Sequence, residues 1–295
     1  MIPVVVLVSA LTFLHYVGAQ MRAAPVLPLY AAAHGATATG VGLIVGAHMA
    51  VAAVGSIPLG QVSDVWGRRP LLLGGMALGV VTSLLLPLVE GQFALMVIYG
   101  LAGFGVAAFT PSALSLVGDA AAPGRAGQAF AWYSTAHYGA IAIGPFVSGL
   151  VADRWGYRSA FVGSAVGIAV ALLGGLALPV RAAPHRSPLP GATFADIRGN
   201  ASVWAGWTLS VVGFLIQGVV FTFFPLLAHE RGFTPAAIGL LFLVLGLVNT
   251  LARFPAGGWW TAQGGALRTR SVGSWWHRWR PPCCLISTAK RFSSR

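Results

Sequence analysis

Long apolar stretches separated by short polar loops run along most of the chain. Each has about the 20 residues that an α-helix needs to cross a bilayer. We predict eight membrane-spanning helices, at about residues 3–30, 38–60, 70–89, 92–114, 127–151, 158–179, 201–227 and 236–258. The first is expected to be kinked, because Pro25 and Pro28 interrupt the helical hydrogen-bond ladder. The pattern predicts an all-α membrane protein.

The seventh and eighth apolar stretches repeat the first two at an offset of 197 residues. The identical pairs are Gln20 and Gln217, Pro28 and Pro225, Gly35 and Gly232, Thr37 and Thr234, Gly42 and Gly239, Leu43 and Leu240, Pro58 and Pro255, and Gly60 and Gly257. Between the copies, residues 181–200 are rich in proline and arginine, and we interpret them as a cytoplasmic linker. The repeat predicts two parallel halves, with residues 1–180 as a six-helix N-terminal half and 201–258 as the first two helices of a C-terminal half.

The composition excludes a soluble domain. Of the 295 residues, 57% are hydrophobic and 8% are charged, and the mean hydropathy is +0.79. The formal charge of +12 does not indicate a nucleic-acid partner, because the basic residues lie in short loops between the spans and near the end of the chain. Six arginines fall in loops on the N-terminal side of the membrane and three on the other side, which predicts a cytoplasmic N-terminus. We expect a multi-pass protein in a lipid bilayer, the cell membrane, and specifically a bacterial inner membrane.

The sequence GQVSDVWGRR, residues 60–69, lies between the second and third spans. We predict a polar, tightly turned loop there, since Gly60 and Gly67 allow close packing and turning. The pattern G-x-x-x-D-x-x-G-R-R resembles the signature of the major facilitator superfamily, apart from Val65, where the family usually has a basic residue. The resemblance implies the major facilitator fold, here a six-helix N-terminal bundle plus the first two helices of the C-terminal bundle, with the substrate site between the halves.

The same resemblance implies a gating charge network at the cytoplasmic mouth. Its predicted members are Gly60, Asp64, Gly67, Arg68, Arg69, Asp119 and Arg125. Ordinary charges that set the membrane topology are the alternative.

The fifth span carries a second family-like motif. Gly139, Gly144, Pro145 and Gly149 resemble the G-x4-G-P-x2-G-G motif of drug-efflux antiporters, with Ser148 in place of one glycine. Small residues let helices approach closely, and proline breaks the backbone ladder locally. The motif predicts a joint for alternating access, and a generic kinked helix is the alternative.

The spans contain few candidates for substrate or proton binding. The predicted cavity residues are Gln20, Arg22, His48, Tyr133, His137 and Gln217. All six acids fall at helix ends or in loops, and Tyr99 stands where the family usually has an arginine, so His15, His48 and His137 are the titratable groups left at membrane depth, with simple packing as their alternative role. We expect Arg22 to face a water-filled cavity and bind an anionic group or a carboxylate from the rest of the protein, and snorkelling to the outer surface is the alternative.

After Gly258 the apolar pattern stops, and residues 259–295 are rich in tryptophan and arginine. The repeat predicts an acid 197 residues after Asp64, where the chain has Thr261. A tryptophan codon ends in G and a threonine codon begins with AC, so stepping the reading frame back one base at Trp260 and Thr261 yields GAC, an aspartate codon. We hypothesise that a frameshift, in the gene or in its sequencing, replaced the rest of the protein. A natural cytoplasmic tail is the alternative.

These features predict a secondary active transporter that exports small molecules or drugs by alternating access, with protons as the candidate coupling ion. The resemblance implies twelve helices and a loop acid, here Asp64, that holds a helix absent from this chain. We therefore predict that the 295-residue chain does not transport. A non-transporting membrane partner or receptor is the alternative. No enzyme, cofactor or metal site is expected, because neither a nucleophile–base arrangement nor HExxH spacing occurs, and the oligomeric state is left open.

Overall fold

Helices account for the regular structure of residues 2–178 and 201–262, the part of the chain that the computed structural model describes. Side chains are described for most of this part, up to Asn249. The helices are α1 (Ile2–Met21), α2 (Val26–Ala33), α3 (Ala38–Trp66), α4 (Arg68–Leu85), α5 (Gln92–Ala120), α6 (Ala126–Trp155), α7 (Tyr157–Leu176), α8 (Ala201–Glu230) and α9 (Pro235–Ala262), with a 3₁₀ turn at Leu86–Leu88. All contacts reported below lie within the compact unit Met1–Leu247.

The helices match the predicted spans and confirm the all-α membrane fold. Within the described residues, seven helical segments are long and apolar enough to cross a membrane, and α1 and α2 together form the first of them, Val4–Ala33. The chain leaves the helical path around Pro25, as the predicted kink requires. The predicted eighth span falls in α9, whose described part, Pro235–Asn249, is an apolar helix shorter than those seven segments. The predicted linker at 181–200 and most of the predicted tail, from residue 263, lie outside the described residues.

Successive spans run antiparallel to one another, so the turns between them lie at two opposite ends of the bundle. The turns after α3, α5 and α7 lie at one end, which we call the Asp64 end. The turns after α2, α4, α6 and α8 lie at the opposite end, which we call the Glu90 end.

The core of the first six spans depends on close helix packing. Helix α5 lies against both α3 and α4. A Cβ on Gly103 of α5 would come within 2.5 Å of the His48 carbonyl of α3, and one on Gly75 of α4 would come within 2.6 Å of the Gly105 carbonyl of α5. Backbones therefore touch at these points, as is typical of membrane helices joined through small residues.

The 197-residue repeat is reproduced in local geometry. Gly35 and Gly232, which occupy equivalent positions, both have φ of 84°, a conformation that favours glycine. Each copy then begins a helix with a threonine cap: Thr37 accepts from the Gly40 amide at 3.1 Å, and Thr234 accepts from the Ala237 amide at 3.2 Å. The turn between α2 and α3 thus recurs between α8 and α9.

Candidate gating and substrate site

The predicted loop at residues 60–69 is shorter than expected. Residues 60–66 are the last two turns of α3, and α4 begins at Arg68, so Gly67 alone joins the two helices. Gly67 has φ of 95° and ψ of 150°, a conformation that side chains with a Cβ rarely adopt. The predicted tight turn is present, but its predicted length over residues 60–69 is wrong, because a one-residue glycine link lets both helices keep their hydrogen bonds.

Arginines in the first turn of α4 bind the ends of neighbouring helices. Arg68 forms an ion pair with Asp119 and donates to the Ser115 carbonyl at 2.7 Å, both on α5. Arg69 donates to the Leu176 carbonyl, at the end of α7. Carbonyls at a helix C-terminus carry partial negative charge, so cations are favoured there. The two arginines therefore connect α4 to α5 and α7 at the Asp64 end.

The other two charged members of the predicted network, Asp64 and Arg125, take no part in the ion pair of Arg68 with Asp119. Asp64 and Arg125 are both exposed, and within the described residues neither forms an ion pair. The structure thus brings Arg68 and Asp119 together and leaves the Asp64 carboxylate on the surface of the bundle.

The glycine and proline motif of α6 contacts helices on two sides. A Cβ on Gly144 would come within 2.5 Å of the Gln20 side chain and 3.0 Å of the Val17 carbonyl, so Gly144 allows α1 to lie against α6. Pro145 is buried within the helix, and its carbonyl accepts from the Ser148 hydroxyl at 3.0 Å. Gly139 has only ordinary contacts, with the ring of Phe13.

The other face of the motif crosses α9 of the second half. A Cβ on Gly149 would collide with the Pro235 carbonyl, and one on Gly239 would come within 2.9 Å of the Phe146 Cα. Two helical turns further along α9, a Cβ on Gly246 would come within 2.8 Å of the Ala142 Cα. Glycines from both helices therefore lie along one crossing, one on α6 and two on α9, and they let the two backbones touch.

Arg22 lies in the break between α1 and α2 and is only 2% exposed. Its Nη1 donates to the Gly79 carbonyl at 2.8 Å and to the hydroxyls of Thr82 and Ser83 at 3.0 and 2.9 Å. The Ser83 hydroxyl is 3.1 Å from that of Ser164 on α7. Arg22 is thus enclosed among α1, α4 and α7, and is neither open to a water-filled cavity nor extended to the surface.

We expect Arg22→Met to leave the folded bundle about as stable as the parent. Thr82 and Ser83 also donate to the carbonyls of Leu78 and Gly79, so no hydroxyl is left unpaired, and a charge that costs about 2.5–3.5 kcal/mol to insert is removed. The measurement is the apparent unfolding temperature in detergent. Arg22→Lys keeps the charge without the guanidinium and should be less stable than Arg22→Met; the reverse order would mean that Arg22 holds the bundle together.

Aromatic rings and histidines from α1, α5 and α6 form one cluster. The ring centres of Tyr16 and His137 are 4.2 Å apart, and His15 stacks on Phe109 with their ring centres 3.9 Å apart. The rings of Tyr133 and His137 stack with their centres 6.1 Å apart, and the buried Tyr133 hydroxyl has no hydrogen-bond partner among the described residues. The same holds for both ring nitrogens of His15, which are also buried. Buried polar atoms are usually hydrogen-bonded. This cluster holds more buried polar atoms without a hydrogen-bond partner than any other part of the described core.

The remaining cavity candidates lie elsewhere. His48 is buried between α3 and α5, with Nδ1 at 2.9 Å from the Tyr99 carbonyl and its ring 4.3 Å from that of Tyr99. Gln20 is half-buried against α6, and Gln217 is half-buried on α8. The structure therefore brings Tyr133 and His137 together, whereas the hydrogen bonds of Arg22 and His48 go to other residues.

The chain as a whole matches the family model of the Major Facilitator Superfamily over residues 8–274, about nine-tenths of its length. The chain belongs to the Major Facilitator Superfamily. Superfamily members are transporters, and the all-helical, multi-pass structure agrees with this membership. The match ends past Gly258, and the boundary of the proposed out-of-frame tail stays a prediction.

Two superfamily relatives are named as export proteins. The tetracenomycin C resistance and export protein of Streptomyces glaucescens is 30% identical over 190 residues, which cover 60% of this chain and 35% of that protein. The cephamycin export protein CmcT of Amycolatopsis lactamdurans is 30% identical over 204 residues, which cover 67% of this chain and 39% of that protein. The chain thus spans well under half the length of these relatives.

A solved superfamily fold resembles the structure closely. A bacterial homologue of the human lysosomal transporter Spinster, in an inward-facing and unoccupied conformation, aligns with a TM-score of 0.71 and 18% identity. The alignment covers 89% of this chain and 63% of that chain. At 18% identity, the structural similarity is evidence for the fold alone.

Sequence patterns did not indicate several residues that contact the candidate site residues or hold neighbouring helices in place. They are Thr82, Ser83 and Ser164 around Arg22, Thr110, whose hydroxyl is 2.7 Å from that of Tyr16, and Asp153 beside α9. For Thr82 and Ser83 a signal was present, because adjacent hydroxyl residues within an apolar span commonly bind another helix.

Proposed function

We propose that these residues form the first half, and the start of the second half, of a secondary active carrier that exports small molecules by alternating access. In this proposal the N-terminus and the Asp64 end face the cytoplasm of a bacterial cell, with the protein in the inner membrane. Six of nine loop arginines on that side support this orientation.

The crossing of α6 and α9 is the observation that carries the proposal. Here a helix of the first half and a helix of the second half approach backbone to backbone at Gly149, Gly239 and Gly246. Such a contact has little interdigitation, so one helix can rotate on the other without side chains having to repack. A joint of this kind between two repeats suits rocking of two bundles about a central site.

The relatives and the buried histidines support the direction of transport and the coupling ion. Two relatives are named for export, which favours export here. Acids of the described spans stand at helix ends, so the buried histidines are the candidates for carrying a coupled proton. His15 and His137 are the best placed, because they lie with Tyr16 and Tyr133 in one cluster with unsatisfied polar atoms. This cluster is also a suitable surface for an aromatic substrate.

We further propose that the 295-residue chain does not transport on its own. The exposed Asp64 carboxylate and the open surface at Gly60 are where the family places a helix of the second half, and wide apolar faces on α3 and α8 are uncovered, with Ile57 72% and Phe214 72% exposed. Apolar faces of this size are suited to contact with further helices as well as lipid.

The experiment compares two proteins in proteoliposomes with an imposed pH gradient. One is the 295-residue chain, and the other is the product of the gene with its reading frame restored after codon 258. A panel of antibiotics is added, and substrate-dependent proton release is followed with a pH-sensitive dye. We expect release with the restored protein only. Release with the 295-residue chain would refute its inactivity, and a restored protein that responds to no compound would contradict the export proposal.

A further inference from the structure

The link between α3 and α4 has a second copy between α6 and α7. Residues 60–69 read GQVSDVWGRR and residues 149–158 read GLVADRWGYR, with six of ten positions identical at an offset of 89 residues. The shared residues are Gly60 and Gly149, Val62 and Val151, Asp64 and Asp153, Trp66 and Trp155, Gly67 and Gly156, and Arg69 and Arg158. Since the helices alternate in direction, the first copy lies at the Asp64 end and the second at the Glu90 end.

The two copies have the same local structure. Gly156, like Gly67, is the single residue between two helices, and its φ of 82° and ψ of 167° resemble the 95° and 150° of Gly67. In each copy the arginine binds another element of the first half. Arg69 donates to the Leu176 carbonyl, and Arg158 pairs with Glu90 at 3.1 Å. Both arginines thus anchor their link within the N-terminal bundle.

The acids of the two copies differ in what they meet. The Asp153 carboxylate accepts a hydrogen bond from the amide of Ala236, in the first turn of α9, at 3.2 Å. The amides of a first helical turn have no partner within the helix, and the helix dipole favours a negative charge there. Asp64 has no such partner within the described residues, and a Cβ on Gly60 would meet nothing within 4 Å.

Gly149 explains how Asp153 reaches α9. The glycine lies one turn before the acid, and its contact with the backbone of Pro235 brings α6 against the start of α9. The same glycine-to-acid spacing occurs in Gly60 and Asp64. The second copy therefore has its partner helix in place.

We propose that Asp153 is a latch that closes the Glu90 end by capping the N-terminus of α9, so that the carrier has one copy of this link for each end. The proposal rests on the alternating-access mechanism proposed above. A single hydrogen bond and a charge–dipole attraction at an exposed position are weak enough to break and re-form in each cycle. Opening this end would then require the Asp153 carboxylate to leave the amides of α9.

The test measures the opening of the Glu90 end directly in the 295-residue chain. Cys283 and Cys284 are changed to serine, and spin labels are attached at the exposed positions Arg154 and Arg231, beside α6 and α9. Pulsed electron double resonance in nanodiscs gives the distance distribution. Asp153→Ala should move a large share of the population to longer distances, and Asp153→Asn, which keeps a neutral acceptor, should move a smaller share.

Glu90→Gln is the matched control, because it removes an acid at the same end whose partner is Arg158 and not α9. We expect its distribution to match the parent. An unchanged distribution in Asp153→Ala, or equal opening in Glu90→Gln, would overturn the proposal. If Asp153→Ala fails to fold, an unchanged distribution in the near-isosteric Asp153→Asn overturns it as well. The measurement needs no substrate, so its outcome is independent of whether the export function is correct.

Discussion

Gly103→Ala is expected to lower the apparent unfolding temperature of the protein by several degrees. The added Cβ would lie 2.5 Å from the His48 carbonyl and 3.1 Å from the Ala52 amide nitrogen, both backbone atoms of α3. Backbone atoms of a helix have no rotamer with which to yield, so α3 and α5 must separate along their contact. Overpacking of this kind costs about 1–3 kcal/mol.

The measurement is thermal unfolding in detergent, followed by loss of the monodisperse peak in size-exclusion chromatography. Gly100→Ala is the matched control, since it makes the same change one turn earlier on the same buried face of α5. Its Cβ would lie 3.9 Å from the Ala47 side chain, an ordinary contact. Alanine favours helix over glycine by about 1 kcal/mol, so this variant should be as stable as the parent or more stable. Equal destabilisation of both variants would contradict the packing argument.

Gly149→Val is expected to separate α9 from α6 without unfolding the N-terminal bundle. The valine side chain would occupy the space of the Pro235 backbone, and the Ala236 Cα would lie 3.1 Å from its Cβ. The two helices must therefore part, which also withdraws the α9 amides from Asp153. The spin labels at positions 154 and 231 should report longer distances than in Asp153→Ala, because this change removes the whole crossing.

Gly60→Val is the control for this prediction. It places the same side chain at the equivalent position of the first copy, where a Cβ meets nothing within 4 Å of the described residues. We expect neither the spin-label distances nor the unfolding temperature to change appreciably. A Gly149→Val distribution equal to that of Gly60→Val would show that α6 and α9 do not depend on this glycine for their contact.

These two predictions concern different kinds of packing. The contacts of α5 with α3 and α4 lie within one bundle. There the helices are so close at Gly75, Gly103 and Gly105 that no side chain would fit. The contact of α6 with α9 joins the two halves, through Gly149 of α6 and through Gly239 and Gly246 of α9. In both places glycine lets helix backbones touch, within one bundle in the first case and between the two halves in the second.

The sequence singled out some residues that the structure places in helix contacts, and it predicted different surroundings for others. It identified the glycines and proline of α6 because small residues and proline stand out in an apolar span. It placed Arg22 at a water-filled cavity, because a charge at membrane depth usually faces water. The structure instead surrounds Arg22 with the Gly79 carbonyl and the hydroxyls of Thr82 and Ser83. Those partners lie 57 to 61 residues away in the chain, beyond the reach of any local pattern.

The same limit applies to the charges. Asp64 lies four residues before Arg68 and Asp119 lies 51 residues after it, so distance along the sequence favours Asp64 as the partner. Only the packing of α4 against α5 brings the Asp119 carboxylate to Arg68 and leaves Asp64 exposed.

By itself the sequence determined the membrane spans, the 197-residue repeat and the positions of the turns, because span length, hydropathy and the need for glycine at positive φ are local properties of the chain. Only the tertiary structure decided which helices meet at Gly144 and Gly149, what surrounds Arg22, and which acid caps α9. The physical reason is that an apolar helix can present any face to lipid or to protein at similar cost, so close contacts with distant segments select the face that is buried.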